Sequence, residues 1–381
     1  MKLTAGGLLV GSDKYLTHGN STIFGFWPVA GGSTSGHVGC SRFGYEWMFV
    51  PTPLRSIALD LQQETHATLG DAQEQLARLD EVSARLSTSS TTTSTGLVTT
   101  VQAREMQSSS ALRGVSVSLR DLLTPENSGS RQRLALPVEF SRYREGARLG
   151  FELAHSGGAI DMALMARSRA LLSGASAAEG LRQGEHLLSR SSDIDRRPTF
   201  AASGADLAGA LAAWDAWNSS DWRFSRVSKI IFGLYQLEVL APFEGRGFPM
   251  PGLYVSWALV REGLLRDQLL PIAAWRDRNR EECSQQLARV IRTGAFDPWV
   301  EFVAAGLMQE ARNQLRVVQD LAAVQQDLRD RVTGTGMARD VAAALIGSPV
   351  TTHADISARH KITEKAATEI ARKLMAAGVL R

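Results

Sequence analysis

The sequence predicts a mainly α-helical fold, and three observations lead to that prediction. From residue 98 onward, apolar side chains recur every three or four residues nearly to the end of the chain. Recognisable glycine and proline breakers divide this pattern into segments of helical length. The chain shows no alternation of strands with helices of the kind that indicates a parallel sheet. Its 381 residues, 44% hydrophobic and 21% charged, suit two or three packed helical units.

The helices are predicted from these periodic segments in chain order. They span residues 98–112, 136–157, 160–172, 205–218, 223–240, 253–262, 277–293 and 299–333. Residues 59–86 allow one more helix, and the stretch STSSTTTST at 87–95 has too little apolar content to pack, which predicts a mobile linker. Residues 193–202, DIDRRPTFAA, predict a small β-hairpin. The Gly-rich segment 1–45, with scattered aromatic residues, predicts irregular loops with room for short strands.

Charge and cysteine content exclude several classes of protein. Residues 331–381 hold eight Lys or Arg and four Asp or Glu, a net charge of +4, so the remaining residues sum to about −1 of the total of +3. Attraction to a polyanion should therefore be local to the C-terminus. The two cysteines, Cys40 and Cys283, form no zinc pattern and favour a reducing compartment. No apolar run approaches the roughly 20 residues needed to span a bilayer, so we expect a cytoplasmic protein without a membrane partner.

The most informative stretch is residues 226–265, where a helical pattern runs into a loop with glycines and prolines and a second helix follows. Free backbone N–H groups at a helix start, together with the helix dipole, favour phosphate there. The pattern therefore predicts an anion cradle. A plain helical hairpin with a glycine turn remains an equal alternative.

Residues 235–248 carry a specific resemblance. The run YQLEVLAPFEGRGF resembles the Fic motif, HPFx(D/E)GNGRxxR, and the helix that precedes it. The segments FVPTPL at 49–54, LMARSRALLSG at 164–174 and the helices at 264–307 are similar to the same family. The resemblance implies a Fic-type helical bundle with a small β-hairpin flap. In that family the motif histidine acts as a general base, the glycine loop holds the phosphates of ATP, and the motif acid holds magnesium.

Residue by residue, the motif departs from the family pattern. The loop comprises Ala241, Pro242, Phe243, Glu244, Gly245, Arg246, Gly247 and Phe248. Ala241 stands at the histidine position, Arg246 at that of the asparagine, Phe248 at that of the first arginine, and the last arginine falls at or near Pro251. Gly245, Arg246 and Gly247 remain as phosphate-binding candidates and Glu244 as a magnesium ligand. We expect no standard protein adenylyltransferase activity and no required cofactor, with ATP and magnesium as a secondary possibility, because a methyl group cannot act as a base.

A second family feature is reduced in the same way. The family's inhibitory helix has the pattern (S/T)xxxE(G/N), and MQSSSALRG at 106–114 resembles it. Ser109 and Gly114 match, whereas Arg113 stands where the inhibitory glutamate is expected. The alternative is that Arg113 is simply an exposed helical residue.

The C-terminus resembles the winged-helix module that often follows Fic domains. Three helices are predicted within residues 339–381, with Thr363 as the N-cap of the third. The candidate DNA-binding residues are Arg359, Lys361, Lys365, Arg372 and Lys373. A charged face on a module that binds a partner protein is the alternative. Since the sequence ends at Arg381, where a β-wing would begin, we expect DNA affinity to require a homodimer or a second basic surface.

The resemblance divides the chain into four predicted regions. They are an irregular N-terminal segment at 1–45, a Fic N-terminal helical region at 46–135, a Fic core at 136–333 and a three-helix, winged-helix-like module at 334–381. Two functional hypotheses follow. The first is a catalytically degenerate regulator that binds DNA or a partner protein. The second is an enzyme that uses the same groove for nucleotidyl or phosphoryl transfer, or for other chemistry with non-standard residues.

Overall fold

The fold is mainly α-helical, as predicted. A computed structural model describes residues 23–29, 32–41, 44–57, 61–88, 91–124, 135–174, 180–189, 199–221, 224–244, 249–334 and 336–381. Within these ranges it has five strands, β1 (Ile23–Val29), β2 (Gly32–Ser41), β3 (Gly44–Val50), β4 (Leu187–Ser189) and β5 (Thr199–Ala201). The fourteen helices of the same ranges are α1 (Gln63–Thr88), α2 (Thr91–Leu112), α3 (Leu119–Leu122), α4 (Ala135–His155), α5 (Met162–Ser173), α6 (Gly204–Asn218), α7 (Arg226–Leu240), α8 (Met250–Arg261), α9 (Ile272–Arg278), α10 (Arg280–Thr293), α11 (Asp297–Arg331), α12 (Met337–Ala344), α13 (His353–His360) and α14 (Glu364–Ala376).

Helix α7 lies at the centre of the main hydrophobic core. Every residue from 227 to 237 is buried, because α1, α6, α8 and α11 pack around it. A helix that is apolar on all sides is stable only in such a setting. The indole of Trp214, on α6, donates a hydrogen bond to the Gly233 carbonyl at 3.1 Å. The contact between α6 and α7 therefore includes a hydrogen bond as well as apolar packing.

Helices α1 and α11 form the longest packed pair. Leu69, Leu76 and Leu79 recur on one face of α1 and are at most 2% exposed, with α11 lying along this face. Burial of each leucine stabilises the fold by about 1.5–3 kcal/mol. No helix within the described ranges is both long and apolar enough to cross a membrane.

The strands form one five-stranded sheet in the order β1-β2-β3-β5-β4. Within the segment 1–45, for which the sequence predicts irregular loops with room for short strands, residues 23–29, 32–41 and 44–45 lie in β1, β2 and β3, and residues 1–22, 30–31 and 42–43 lie outside the described ranges. The predicted hairpin is shifted, with β4 paired antiparallel to β5 and residues 190–198 outside the described ranges. The parallel pairing of β3 with β5 was not predicted, because it joins residues 47–49 to residues 199–201 through tertiary contact alone.

Two helix boundaries also correct the sequence analysis. The linker predicted at 87–95 is wrong for most of its length, since α1 continues to Thr88 and α2 begins at Thr91, with residues 89–90 outside the described ranges. Low propensity of Ser and Thr is a weak signal that packing of the flanking helices overrides. The helix predicted at 277–293 is instead two helices, which meet at Asn279.

The helices α12, α13 and α14 surround a small hydrophobic core of their own, centred on Val341, Ile356 and Leu374. Thr352 and Asp355 form a capping box at the start of α13. The hydroxyl of Thr363 accepts a hydrogen bond from the Ala366 N–H at 3.2 Å, which confirms the predicted N-cap of α14. We refer to residues 337–381 as the C-terminal unit.

We refer to the part of the chain before residue 337 as the body. The C-terminal unit contacts the body where two backbone segments approach closely, at Gly96 in α2 and at Gly347 in the short turn after α12. A Cβ atom added at Gly347 would lie 1.9 Å from the Gly96 Cα. The hydroxyl of Thr100 donates to the Ile346 carbonyl at 3.5 Å beside this contact. Only glycine at both positions lets the two segments approach so closely.

We predict that Gly347→Ala lowers the free energy of unfolding by about 1–3 kcal/mol, because the added methyl group overlaps backbone that cannot move independently. Proteolytic cleavage at residues 332–336 should become faster as the C-terminal unit separates from α2. Urea unfolding and limited proteolysis measure the two effects. Gly70→Ala, in α1 with nothing within 4 Å of its added Cβ, is the control and should be neutral or slightly stabilising. Equal stability of the Gly347→Ala variant and the parent would contradict the prediction.

Candidate functional site

The motif loop begins where α7 ends, at a residue with strained backbone. Ala241 has φ 42° and ψ 63°, in the left-handed region, and its N–H donates to the Leu237 carbonyl at 3.0 Å. A non-glycine residue in this conformation costs about 1 kcal/mol. The conformation turns the chain sharply away from the helix axis, so that the partly exposed methyl group of Ala241 precedes the buried Pro242 and Phe243.

Arg182 holds the end of α7 in place. Its side chain, 2% exposed, donates to the carbonyl of Ala241 at 2.9 Å and to that of Leu240 at 3.3 Å. The same guanidinium donates to the carbonyls of Ala202, at 2.5 Å, and Gly184. The last carbonyls of a helix have no partner within it, and Arg182 supplies one. Burial lowers the pKa of Arg182, but a guanidinium remains charged in proteins.

The Glu244 carboxylate is bound to the segment before β4. Its Oε1 accepts hydrogen bonds from the N–H of Gly184 at 2.7 Å and of Gln183 at 3.0 Å. The bond from Gly184 contributes most to lowering the pKa of Glu244, and Gln183, Arg182 and Arg169 add to it. Glu244 is therefore an ionised group at neutral pH with a structural task.

Arg169, in α5, completes the support of the loop. It is 5% exposed, donates to the Glu244 carbonyl at 2.5 Å, and its guanidinium carbon lies 5.3 Å from the centre of the Phe243 ring. The ring and the carbonyl together stabilise the charge by a cation–π contact and a hydrogen bond. Neither Arg169 nor Arg182 was a sequence candidate, since each acts on backbone carbonyls that are remote in sequence.

The second half of the motif loop leads to the start of α8. Gly245, Arg246, Gly247 and Phe248 lie outside the described ranges. Helix α8 follows, with Pro249 as its N-cap and Pro251 in its first turn, and neither has an N–H group to donate. In the described part of the chain, no group of three or more His, Cys, Asp and Glu side chains could hold a metal ion.

The inhibitory-helix candidates lie at the C-terminal end of α2. Ser109 is buried and lines a cavity that Pro249 and Pro251 also line, so the structure brings it to the start of α8. Arg113 is exposed, and its guanidinium donates to the Ser110 hydroxyl at 3.1 Å rather than reaching the motif loop. Gly114, at φ 82°, ends this segment in a conformation that favours glycine.

The five basic candidates of the C-terminal unit are all exposed. Lys365 and Arg372 are two helical turns apart on the outer face of α14, and Lys373 is adjacent. Glu369 interrupts this face and accepts a hydrogen bond from Arg372 at 2.6 Å. Lys361 lies in the turn before α14 with φ 52°. Arg359 lies close enough to Arg144, in α4, to contribute to the lowered pKa of that group, after the larger effect of burial.

Comparison with known proteins finds similarity to one family over part of the chain. Residues 66–152 match the family described as Fic/DOC family N-terminal. A Fic family protein from Desulfovibrio desulfuricans G20 has a solved structure with a TM-score of 0.55 and 15% sequence identity, covering 82% of this chain and 91% of that one. At this identity the similarity shows a shared fold.

A second solved structure, of a Fic domain containing signaling protein from Bacteroides thetaiotaomicron VPI-5482, has a TM-score of 0.48 and 12% identity. It covers 66% of this chain and 98% of that one. No curated protein sequence matches the chain.

We predict that Arg182→Met lowers the free energy of unfolding by about 3 kcal/mol, because buried carbonyls at the end of α7 lose a charged donor while the aliphatic volume is kept. Urea unfolding measures the change. Arg167→Met, at an exposed position of α5, is the matched control and should change stability by less than about 0.5 kcal/mol. Equal effects of the two substitutions would show that the carbonyls find other partners.

Proposed function

We propose that the chain is a catalytically silent Fic-fold regulator that binds DNA through its C-terminal unit, because residues 66–152 match the Fic/DOC N-terminal family and the chain shares the fold of a Fic family protein. The observation on which the proposal rests is the methyl side chain at position 241. It follows the central helix at the point where the resemblance calls for a histidine. A reaction that removes a proton from a hydroxyl group needs a base there, and losing such a base slows it by about 100- to 10,000-fold.

Neighbouring groups are poor substitutes for the missing base. A general base is most effective when its pKa is near neutrality, and the hydrogen bonds to Glu244 lower its pKa instead. The guanidinium groups of Arg169 and Arg182 have no acceptor and are engaged with carbonyls. The described part of the loop therefore offers no side chain suited to accept a proton at neutral pH.

The described residues also do not fit ATP with magnesium. Oε1 of Glu244 already accepts two N–H groups, which orients the carboxylate towards residues 183–184. At the start of α8, Pro249 and Pro251 remove two of the backbone donors that a phosphate would use. We derive no catalytic step through this nucleotide, and the enzyme hypothesis is the weaker of the two.

Support for DNA binding comes from the basic face of the C-terminal unit. Lys365, Arg372 and Lys373 project from a helix whose opposite face is fixed by Ala367 and Leu374 in the small core. Side chains presented in this way can neutralise phosphates, which dominates affinity for nucleic acid. A homodimer would bring two such faces to two half-sites and would offset the weak affinity of one copy.

We expect no transfer of labelled adenylate from ATP and magnesium to the chain itself or to a hydroxyl-rich acceptor protein. Ala241→His alone should also show no detectable transfer, because Pro249 and Pro251, which have no N–H group to donate to a phosphate, remain at the start of α8. Scintillation counting after gel separation measures both. Labelling by the parent chain that disappears in Glu244→Gln would overturn the proposal that this site is silent.

We expect the parent chain to bind a fluorescent mixed-sequence DNA duplex at low salt, with affinity that falls as salt rises. Replacing Lys365, Arg372 and Lys373 together with alanine should reduce the slope of log affinity against log salt by about 0.9 for each phosphate that the chain no longer neutralises. Fluorescence anisotropy across a salt series measures the slope.

The control replaces three arginines of the body, Arg78, Arg85 and Arg316, which are also exposed. It removes the same amount of positive charge, so an effect of net charge alone would appear in both variants. Unchanged affinity of the α14 variant, or an equal loss in the control, would count against DNA binding by this unit.

A further inference from the structure

A cavity of about 180 Å³ lies between four helices, next to the start of α8 and apart from the basic face of the C-terminal unit. Its polar lining comes from Glu105 and Ser109 of α2, Glu238 of α7 and Arg276 of α9, and Pro251 and Gly252 form part of the wall. A cavity of about 150 Å³ holds a benzene molecule, so this one has room for a ring of that size with a small substituent.

Glu105 is the unusual member of this lining. It is fully buried, its Oε2 accepts a hydrogen bond from the Ala273 N–H at 2.8 Å, and its Oε1 has no hydrogen-bond partner within the described ranges. A Cβ atom added at Gly252 would lie 2.2 Å from Oε1, so Oε1 lies against the start of α8. A buried polar atom without a partner costs about 1–3 kcal/mol. Oε1 is fully buried against Gly252, so the carboxyl group must turn towards the cavity for a ligand to recover this cost.

The protonation state of Glu105 decides whether its carboxyl group can donate a hydrogen bond or can only accept one. Burial raises the pKa of Glu105 to about 8, and the nearby Glu310 adds to this effect. The Ala273 N–H and Arg276 act in the opposite direction and lower the pKa. Tyr143, of α4, also faces this group, and Glu105 contributes to its raised pKa. At pH 7 the carboxyl group is therefore mostly neutral. Because Oε2 is the acceptor, Oε1 carries the proton and can donate it in a hydrogen bond.

The other charges in the cavity balance each other. Arg276 lies 2.7 Å from the Glu238 carboxylate, both only partly exposed, and the two form an ion pair. An anion would compete with Glu238 for Arg276, the one guanidinium among the described residues of the lining, and the proline walls provide no N–H in its place. A cation gains little from the Glu238 carboxylate, because Arg276 already neutralises its charge. Charged ligands are therefore disfavoured, and hydrogen-bond donors remain for a neutral oxygen atom.

We propose that this cavity binds a small neutral molecule with a carbonyl or hydroxyl oxygen, which accepts a hydrogen bond from Glu105 and fills the space beside Ser109. The site is independent of DNA binding, and its failure would leave the proposed function untouched. It is also distinct from a nucleotide-phosphate site, because its chemistry disfavours anions.

The test uses three probes of nearly the same shape and different charge: benzamide, benzoate and benzamidinium. Saturation-transfer NMR and amide chemical shifts of the full chain measure their binding. We expect millimolar affinity for benzamide, with shifts at Ser109 and Gly252, and at least tenfold weaker binding of both charged probes. Equal binding of benzoate, or no benzamide binding at any pH, would overturn the proposal.

Two variants connect the binding to the cavity. Ser109→Leu fills the space and should abolish benzamide binding, whereas Ser108→Leu, one residue away in α2 and outside the cavity lining, should leave it unchanged.

Glu105→Gln keeps the shape of the side chain and a hydrogen-bond donor, but its amide group does not titrate. The affinity of the parent chain should fall about tenfold for each pH unit above about 8, as the Glu105 proton is lost, while that of Glu105→Gln stays constant. Identical pH profiles for the parent and Glu105→Gln would overturn the role of Glu105.

Discussion

The structure depends on how the chain satisfies the end of an almost fully buried helix. The Ala241 N–H bonds the Leu237 carbonyl, but the carbonyls of Leu240 and Ala241 have no partner within α7, so another part of the fold must supply one. Arg182 meets this requirement for Leu240 and Ala241, and its own backbone N–H donates to the Pro242 carbonyl at 2.8 Å. One side chain thereby connects the central helix, the motif loop and the segment that leads to β4.

This arrangement gives the charged groups around the motif loop structural contacts. Glu244 is the charged residue of its described part, and Glu244 and the two supporting residues Arg169 and Arg182 are each engaged with backbone groups. Such bonds fix geometry, but they also move the pKa of Glu244 away from neutrality. The strained conformation of Ala241 persists because the surrounding contacts determine it.

Helix α2 connects two features that the sequence separates. Its N-terminal part meets Gly347 of the C-terminal unit, and its C-terminal part lines the cavity beside α8. The buried Glu105 is one of the residues of α2 that line this cavity. Because the interior of a protein disfavours an isolated charge, this carboxyl group retains its proton and becomes a donor. The same helix carries the sequence that resembles an inhibitory segment, although Arg113 faces solvent.

The sequence alone determined the helical class, most helix positions and the N-cap of α14, because these follow from local periodicity and from Thr363 at a helix start. It also predicted the end of the central helix at residue 240, where α7 ends. The tertiary structure alone decided the parallel pairing of β3 with β5, the helical state of residues 91–95 and the roles of Arg182, Arg169 and Glu105. Each of these depends on contacts between residues far apart in the chain, and neither propensity nor spacing encodes such contacts. A buried arginine that binds carbonyls has the same local sequence signal as one in solvent, so only the packed fold distinguishes them.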